Sequence, residues 1–427
     1  MIRIKEFKEP QHNLKSEKFL NPKKLILPLS QHIGRPSIPC VKIKDEVEEG
    51  QLLAKEDGFI SAQLHSPSKG KIISISNFNH PVLKKGNAIA VLCSPEKKSY
   101  SLRKHIDDLE NDEIIDIIKN NGIVGMGGAA FPSHVKLQPP KKIDTLLING
   151  CECEPFLSTD HRLMVENLKE IFIGIEIIAK LIKPKRIIFA LEENKTEEKK
   201  QINFCINTKK FKLPKTELII LKTAYPQGGE KQLIYAATKQ KVPGGKLPLD
   251  VGCLVHNVAS CFAIYEAVYL NKPLIERLVS FCGDSLVKPK NIWIKIGTTL
   301  QELFDQKILE FKNEPKKIIS GGPMMGITLN NLDYPILKGN GGFLFLRDHV
   351  TEIKESECIR CARCIDVCPM DLLPQEYVKR VKNEEYDNLL DLNINDCIEC
   401  GCCAYICPAQ IPIVHYIKTG KVYVPKN

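Results

Sequence analysis

The sequence predicts a multidomain α/β protein with a cysteine-rich segment at its end. Three observations carry that prediction. At about 150 residues per domain, a chain of 427 residues makes roughly three domains. From about residue 145 onward, strand-like and helix-like apolar periods alternate, which is the pattern of a parallel sheet covered by helices. Nine of the 17 cysteines fall between Cys358 and Cys407, a density that packing alone does not require.

Taken in order, the first hundred residues read as β structure. Short apolar runs at 25–27, 58–61, 71–75 and 88–92 are separated by turn residues. The stretch 41–51 is weakly echoed by 81–92, with Ser66-Pro-Ser-Lys-Gly70 between them. This repeat resembles the lipoyl/biotinyl barrel-sandwich domain, a β barrel-sandwich module expected over residues 1–100. A carrier domain of that type has a lysine at its hairpin tip. Here the tip reads Glu56-Asp57-Gly58, so the module is expected to be structural or docking in role.

Residues 105–120 carry Ile106, Leu109, Ile114, Ile115, Ile117 and Ile118 at helical spacing. The glycine-rich stretch Gly125-Met-Gly-Gly-Ala-Ala-Phe-Pro132 follows. Residues 145–149 read as a buried strand. A helix over 161–182 places Met164, Leu168, Ile171, Ile175, Ile178 and Ile182 on one stripe, and Pro184 stops it. Strands are expected at 186–191 and 217–221, and helices at 230–238 and 258–270. Strand, helix, strand in that sequence makes a parallel βαβ unit, so residues 101–271 form one α/β domain. Residues 272–330 change character. Strands at 279–282 and 291–296, a short helix at 300–304 and a strand running into a turn at 317–323 resemble a β-grasp insert. Cysteines, short helices and loops fill 331–427.

Composition excludes several classes. The opening residues are charged throughout and contain no apolar signal region. No run approaches the roughly 20 apolar residues of a membrane span. An odd cysteine count without a secretory signal argues against a disulfide framework. The net charge of +10 comes from scattered lysines, with no aromatic-interleaved basic patch, so no nucleic-acid partner is expected.

The cysteine clusters are the most specific signal. Cys358-Ile-Arg-Cys361-Ala-Arg-Cys364-Ile-Asp-Val-Cys368-Pro369 is followed by Cys397-Ile-Glu-Cys400-Gly-Cys-Cys403-Ala-Tyr-Ile-Cys407-Pro408. Both read C-x₂-C-x₂-C-x₃-C-P, the run of two-cluster bacterial ferredoxins, in which the fourth cysteine ligates the other cluster. The expected ligand sets are Cys358, Cys361, Cys364 and Cys407 for one [4Fe–4S] cluster, and Cys397, Cys400, Cys403 and Cys368 for the other. Cys402 is an extra thiol. Zinc is the rival occupant, but it is usually held by two separated C-x₂-C knuckles.

The glycine loop is weak evidence alone and stronger with its neighbours. Glycines let backbone N–H groups approach a phosphate. Ligands of open α/β sheets sit beyond the carboxyl ends of the strands, where Asn149, Glu152 and Glu154 fall. The arrangement resembles the flavin- and NADH-binding subunit of respiratory complex I, with its Gly-Arg-Gly-Gly-Ala-Gly-Phe-Pro-Thr loop and a strand ending Asn-Ala-Asp-Glu-x-Glu-Pro. Position by position, Gly125, Gly127, Gly128, Phe131 and Lys136 match the loop and the lysine after it. Asn149, Glu152, Glu154 and Pro155 match the strand end. Tyr225, Gly228 and Glu230 match a later Ala-Tyr-x-x-Gly-Glu-Glu motif, and Asn257 matches an asparagine contact. Met126, Ala130, Cys151 and Gly229 depart from the pattern.

The order of parts is similar to the C-type family of subunits in the Rnf ion-translocating electron transport complex, whose form Asn149 to Pro155, Asp160, Met164 and Ser320-Gly-Gly-Pro-Met-Met-Gly326 also fit. The resemblance implies non-covalent FMN, NADH as substrate, two [4Fe–4S] clusters and partner subunits in a membrane complex. It also implies a peripheral position on the cytoplasmic side of the inner membrane. No side chain is expected to act as a catalytic acid or base, because the flavin carries the chemistry. Two rival readings stay open: an electron-transfer and docking module with no NADH site, and a soluble flavin and iron–sulfur reductase acting on a corrin.

Overall fold

The computed structural model describes every residue except 10, 96–97, 103–107, 209, 348–353 and 426–427. The first part of the helix expected over 105–120 therefore lies outside the described residues. The helix itself runs Asn111–Asn120 and buries Ile114, Ile115 and Ile118.

Residues 24–93 fold into a pair of small sheets, counted together as the first of three sheet assemblies. Lys24–Pro28, Lys84–Cys93, Gly70–His80 and Glu46–Val47 form one, in that order, and Ile38–Pro39, Leu52–Lys55 and Leu64–His65 form the other. Residues 58–61 are not a strand, contrary to their apolar look. Gly58 has φ +85°, and Phe59 points outward with 74% of its surface exposed, so the run is a bend at the tip.

The second sheet is wholly parallel, in the order Lys215–Leu221, Arg186–Glu192, Thr145–Asn149, Cys253–Asn257. Its central strands are apolar on both faces, as covered parallel strands must be. Leu146, Ile148, Ile187, Phe189 and Leu254 face one core, while Leu147, Ile188, Ala190 and Val255 face another. The strand Cys253–Asn257 was not expected. Its five residues include His256 and Asn257, and they run without a break into the helix Val258–Leu270, so no turn signal separates the two. The long helix is Thr159–Ile182, and its geometry breaks at Asn167, φ −137°. It packs on Val258–Leu270, with Gly174 at the point of closest approach: a Cβ there would lie 1.9 Å from the Cys261 carbonyl oxygen.

The third sheet is mixed. Its order is Glu17–Phe19, Lys290–Lys295, Glu276–Cys282, Gly342–Leu346, Lys317–Ser320, Ile327–Leu329. It draws strands from outside 272–330 at both edges of the sequence range. Thr299 caps the short helix Leu300–Asp305 beside it.

After this sheet come helices Arg363–Asp366, Pro374–Lys382, Cys402–Tyr405 and Ile413–Tyr423, around a core that includes Tyr377, Leu389, Ile394 and Ile417. Among the described residues, no helix is long and apolar enough to cross a membrane.

Candidate functional site

Two regions meet at the carboxyl ends of the parallel strands: the glycine loop on one side and the cysteine runs on the other.

The glycine loop is pinned at its base and open at its tip. The Gly125 amide donates to the Phe131 carbonyl at 2.8 Å, and the Met126 amide donates to Ser260 Oγ at 2.9 Å. Gly127, Gly128 and Ala129 are exposed, and Gly128, φ +125°, has open space where a side chain would stand. Gly127 lies over Asn257, whose Cβ would be 3.1 Å from an added Cβ.

Asn149 and Asn257 end neighbouring strands in register, so their side chains share one row. Asn149 Nδ2 donates to the Gly228 carbonyl at 2.9 Å, and its Oδ1 accepts from the Cys151 amide at 3.0 Å. Asn257 Oδ1 accepts from Ala259, which caps the following helix, and Nδ2 donates to Asp160 at 2.6 Å. Lys136 and Glu230 meet at the rim in an ion pair of 3.0 Å, about a third exposed on the lysine side.

The two carboxylates after the strand end turn away from the loop. Glu152 accepts from the Asp160 and His161 amides at 3.0 and 3.3 Å, serving the first turn of the long helix. Glu154 accepts from the Met324 and Met325 amides at 3.2 and 3.0 Å, holding the turn of the third sheet. Gly322 passes so close that a Cβ would sit 2.1 Å from Glu154 Oε2. Tyr225 also faces elsewhere: it is 2% exposed, and its hydroxyl donates to the Cys400 carbonyl at 2.8 Å.

Beneath the strand ends lies a buried charged group that the sequence did not announce. Lys8 comes from the first residues of the chain and donates to the Glu152 carbonyl. Lys195 is 1% exposed, and among the described residues neither its ammonium nor either carboxylate oxygen of Glu192 has a hydrogen-bond partner. Burial pushes the Glu192 carboxyl up to about 7, against the pull of Lys8 and Lys195. Each of these residues lies outside the strand-end motif, so spacing alone gives no signal of them.

The two cysteine runs repeat one backbone. Arg360 and Ala362 have φ of +57° and +61°, and the equivalent Glu399 and Gly401 have +55° and +83°; Asp371 and Gln410 repeat the pattern after each fourth cysteine at +54° and +52°. Left-handed residues in such turns aim successive amides inward, which suits an anionic centre. Glu399 and Leu372 amides donate to Cys397 and Cys368 sulfurs, both at 3.4 Å.

Cys368, from the first run, lines one hollow together with Cys397, Cys400 and Cys403 of the second. Cys364 lies within reach of the charges of Cys358 and Cys407. Four thiols around a hollow, with amides turned to the sulfurs, fit a [4Fe–4S] cube. Cys402 is fully buried beside this set, and its thiol hydrogen bond lowers Cys400 to about 7.

Comparison with known proteins agrees with this division. The RnfC barrel sandwich hybrid domain matches residues 2–98, the Nuo51 FMN-binding domain residues 118–266, and a 4Fe-4S dicluster domain residues 357–411. The chain is 43% identical over 383 residues to the C component of the proton-translocating ferredoxin:NAD(+) oxidoreductase complex of Clostridium ljungdahlii, covering 87% of this chain and 82% of that protein. It is 37% identical over 371 residues to the C component of the Na(+)-translocating ferredoxin:NAD(+) oxidoreductase complex of Acetobacterium woodii, covering 84% and 82%. An NAD+-reducing [NiFe]-hydrogenase in its H2-reduced state shares the fold, with TM-score 0.52 at 16% identity over 75% of this chain and 64% of that one.

Proposed function

Because the chain belongs to the family of C components of ion-translocating ferredoxin:NAD(+) oxidoreductase complexes, we propose that it carries electrons between a nicotinamide dinucleotide and the other subunits of such a complex. Bound FMN would supply the exchange between paired electrons at the nicotinamide and single electrons at iron–sulfur clusters. Everything else falls to the side chains. The exposed Gly127 to Ala129 tip and Gly125 leave room for a phosphate-bearing ligand, with Phe131 at the loop's closing end. Asn149 and Asn257 form the floor, and Lys136 with Glu230 sits at the rim where a dinucleotide would enter. Glu152 and Glu154 would act from behind by fixing the strand end, and Tyr225 would act on the cluster side.

The crossed thiol sets support a reading with two [4Fe–4S] clusters. The set of Cys368, Cys397, Cys400 and Cys403 would be the one nearer the flavin, and the Tyr225 hydroxyl on the Cys400 carbonyl is the observation that carries this reading. The set of Cys358, Cys361, Cys364 and Cys407 would face another protein of the complex, since Cys358 and Cys361 are exposed. The route serves either direction, and the relatives' names run it from ferredoxin to NAD(+). The chain would sit peripherally on the cytoplasmic side of the membrane, with ion movement in other subunits.

Of the division at 1–100, 101–271, 272–330 and 331–427 we favour the four parts and their order, with the third sheet counted as β-grasp and the boundary after it moved to Leu346. Its support is the strand order from Lys290–Lys295 to Ile327–Leu329: second, first, fifth, third, fourth, with first and fifth parallel. That order extends the third domain to Leu346.

Anaerobic purification followed by absorption and paramagnetic resonance spectra, before and after NADH, tests the reading. Flavin and about eight irons per chain are expected. Lys136→Ala should lose at least tenfold of NADH-dependent dye reduction, about 1.4 kcal/mol in transition-state terms, with iron content unchanged. Full activity in that variant would remove the rim from the site.

A further inference from the structure

Asp160 stands behind the proposed flavin site, which rests on the reading that FMN lies against the exposed tip of the glycine loop, beside Asn257. Asn257 is held at both ends of its amide. Oδ1 is committed to the Ala259 amide at 2.8 Å, so Nδ2 is turned the other way, to Asp160 Oδ2 at 2.6 Å. Gly127 lies over the same side chain. Asn149, Asp160 and Asn257 are each half-buried at this point. Asp160 is thus one hydrogen bond behind the floor of the site, in the first turn of the helix Thr159–Ile182.

Four neighbours from four elements face its carboxylate. Glu152 comes from the strand end, Asn257 from the adjacent strand, Arg277 from Glu276–Cys282, and Lys195 from the loop after Arg186–Glu192. Glu152 repels it. Arg277 is partly committed to the Leu278 and Lys338 carbonyls. Enclosure by protein, then Glu152, push the Asp160 carboxyl up to about 7, while Asn257, Arg277 and Lys195 pull it back. A carboxyl poised there changes protonation whenever the charge beside it changes.

We propose that Asp160 positions the Asn257 amide toward the cofactor and exchanges one proton with water as electrons enter and leave the site. On electron entry, hydronium gives its proton to Oδ1, forming one O–H bond and leaving water, while Oδ2 keeps the Asn257 bond. On electron exit that O–H bond breaks and the proton returns to solvent. No electron passes through the residue, and binding of electron and proton is reciprocal.

The test is a redox titration of the purified wild-type holoprotein, followed by flavin absorbance from about pH 6 to about pH 9, a range that brackets the shifted carboxyl. Reduced flavin gives up a proton of its own near neutrality, so the readout is the difference between the two proteins: around neutrality the wild-type potential should fall more steeply with pH than that of Asp160→Asn with flavin retained. Identical curves for wild type and flavin-bound Asp160→Asn overturn the role of Asp160 alone. Wild-type protein that binds no FMN overturns both this proposal and the reading beneath it. Should Asp160→Asn lose its flavin, redox-difference infrared spectra of wild type labelled with ¹³C-aspartate decide. A protonated-carboxyl band that grows on reduction and shifts with the label supports the exchange, and its absence overturns it.

Discussion

Lys338 shows what one buried charge does to this molecule. Its ammonium donates to the carbonyls of Gln63 and Gly122, both at 2.7 Å, and so ties the barrel-sandwich module to the α/β domain. The residue is 1% exposed, and among the described residues it has no ion-pair partner. Burial lowers its pKa from 10.5 to about 7. The unfolded chain therefore holds the proton more tightly than the fold does, so this group makes stability rise with pH from about 7 to about 10.5. Lys338→Met lacks that rise. Its urea midpoint should fall further behind wild type at about pH 9.5 than at about pH 7. A constant offset at both pH values would mean that the lysine stays charged in the fold. Residues of this kind were invisible in the sequence, where Lys338 is one lysine among many. The cluster cysteines were legible because their chemistry is local: spacing along twelve residues sets the shape of the loop. Glu152 and Glu154 were legible as residues of the strand end but not in direction. Which way a carboxylate turns depends on amides from elements such as Met324 and Met325, 170 residues away or more.

At the scale of elements, periodicity did well where the partner is continuous. The helices Glu230–Thr238 and Val258–Leu270 have the bounds the pattern predicts, as does the strand Thr145–Asn149. It failed where a short run has more than one reading. Residues 58–61 look like a strand but form an exposed tip, and Cys253–Asn257, to which the pattern assigns no element, is the edge strand that carries Asn257. That edge strand matters most for the site, because the row of Asn149 and Asn257 exists only if it pairs in parallel register. Its placement depends on the crossing of the two helices behind it. Gly174 is the contact at that crossing, 1.9 Å from a backbone oxygen if given a Cβ. Backbone cannot yield as a side-chain tip can, so Gly174→Ala should cost about 2 to 3 kcal/mol, the upper part of the overpacking range. Denaturant unfolding measures this. A loss well below about 1 kcal/mol would show that the helices slide apart at little cost.

At the scale of the whole molecule, the first residues of the chain run along the seam between all the working parts. Ile2 exchanges backbone hydrogen bonds with Tyr225, at 2.9 and 2.8 Å. Phe7 donates to the Pro155 carbonyl at 2.8 Å, and Gln11 reaches the Phe156 carbonyl at 3.0 Å. His12 stacks on His161 with 3.5 Å between ring centres, and Ser16 binds Glu166 of the long helix. Glu17–Phe19 then joins the third sheet. Ile2 and Ile4 pack with Tyr225, Cys400, Cys402 and Met324, at the step from the strand ends to the cysteine loop. Contacts of such long sequence separation leave no periodic trace, which is why the opening residues read only as charged. A variant lacking residues 2–4 removes two ladder hydrogen bonds, worth about 1 kcal/mol each, and the burial of Ile2, worth about 2. The losses fall on the loop of Cys400 rather than on the glycine loop, whose base is held by Phe131 and Ser260. Gentle heating of the truncated protein should therefore bleach the clusters several degrees below wild type, while flavin release shifts much less. If both cofactors leave together at the lowered temperature, the segment supports the α/β domain as a whole; if neither temperature moves, the seam is held without it by Tyr225 on the Cys400 carbonyl and by Gln232, whose amide donates to the Pro369 carbonyl at 3.3 Å.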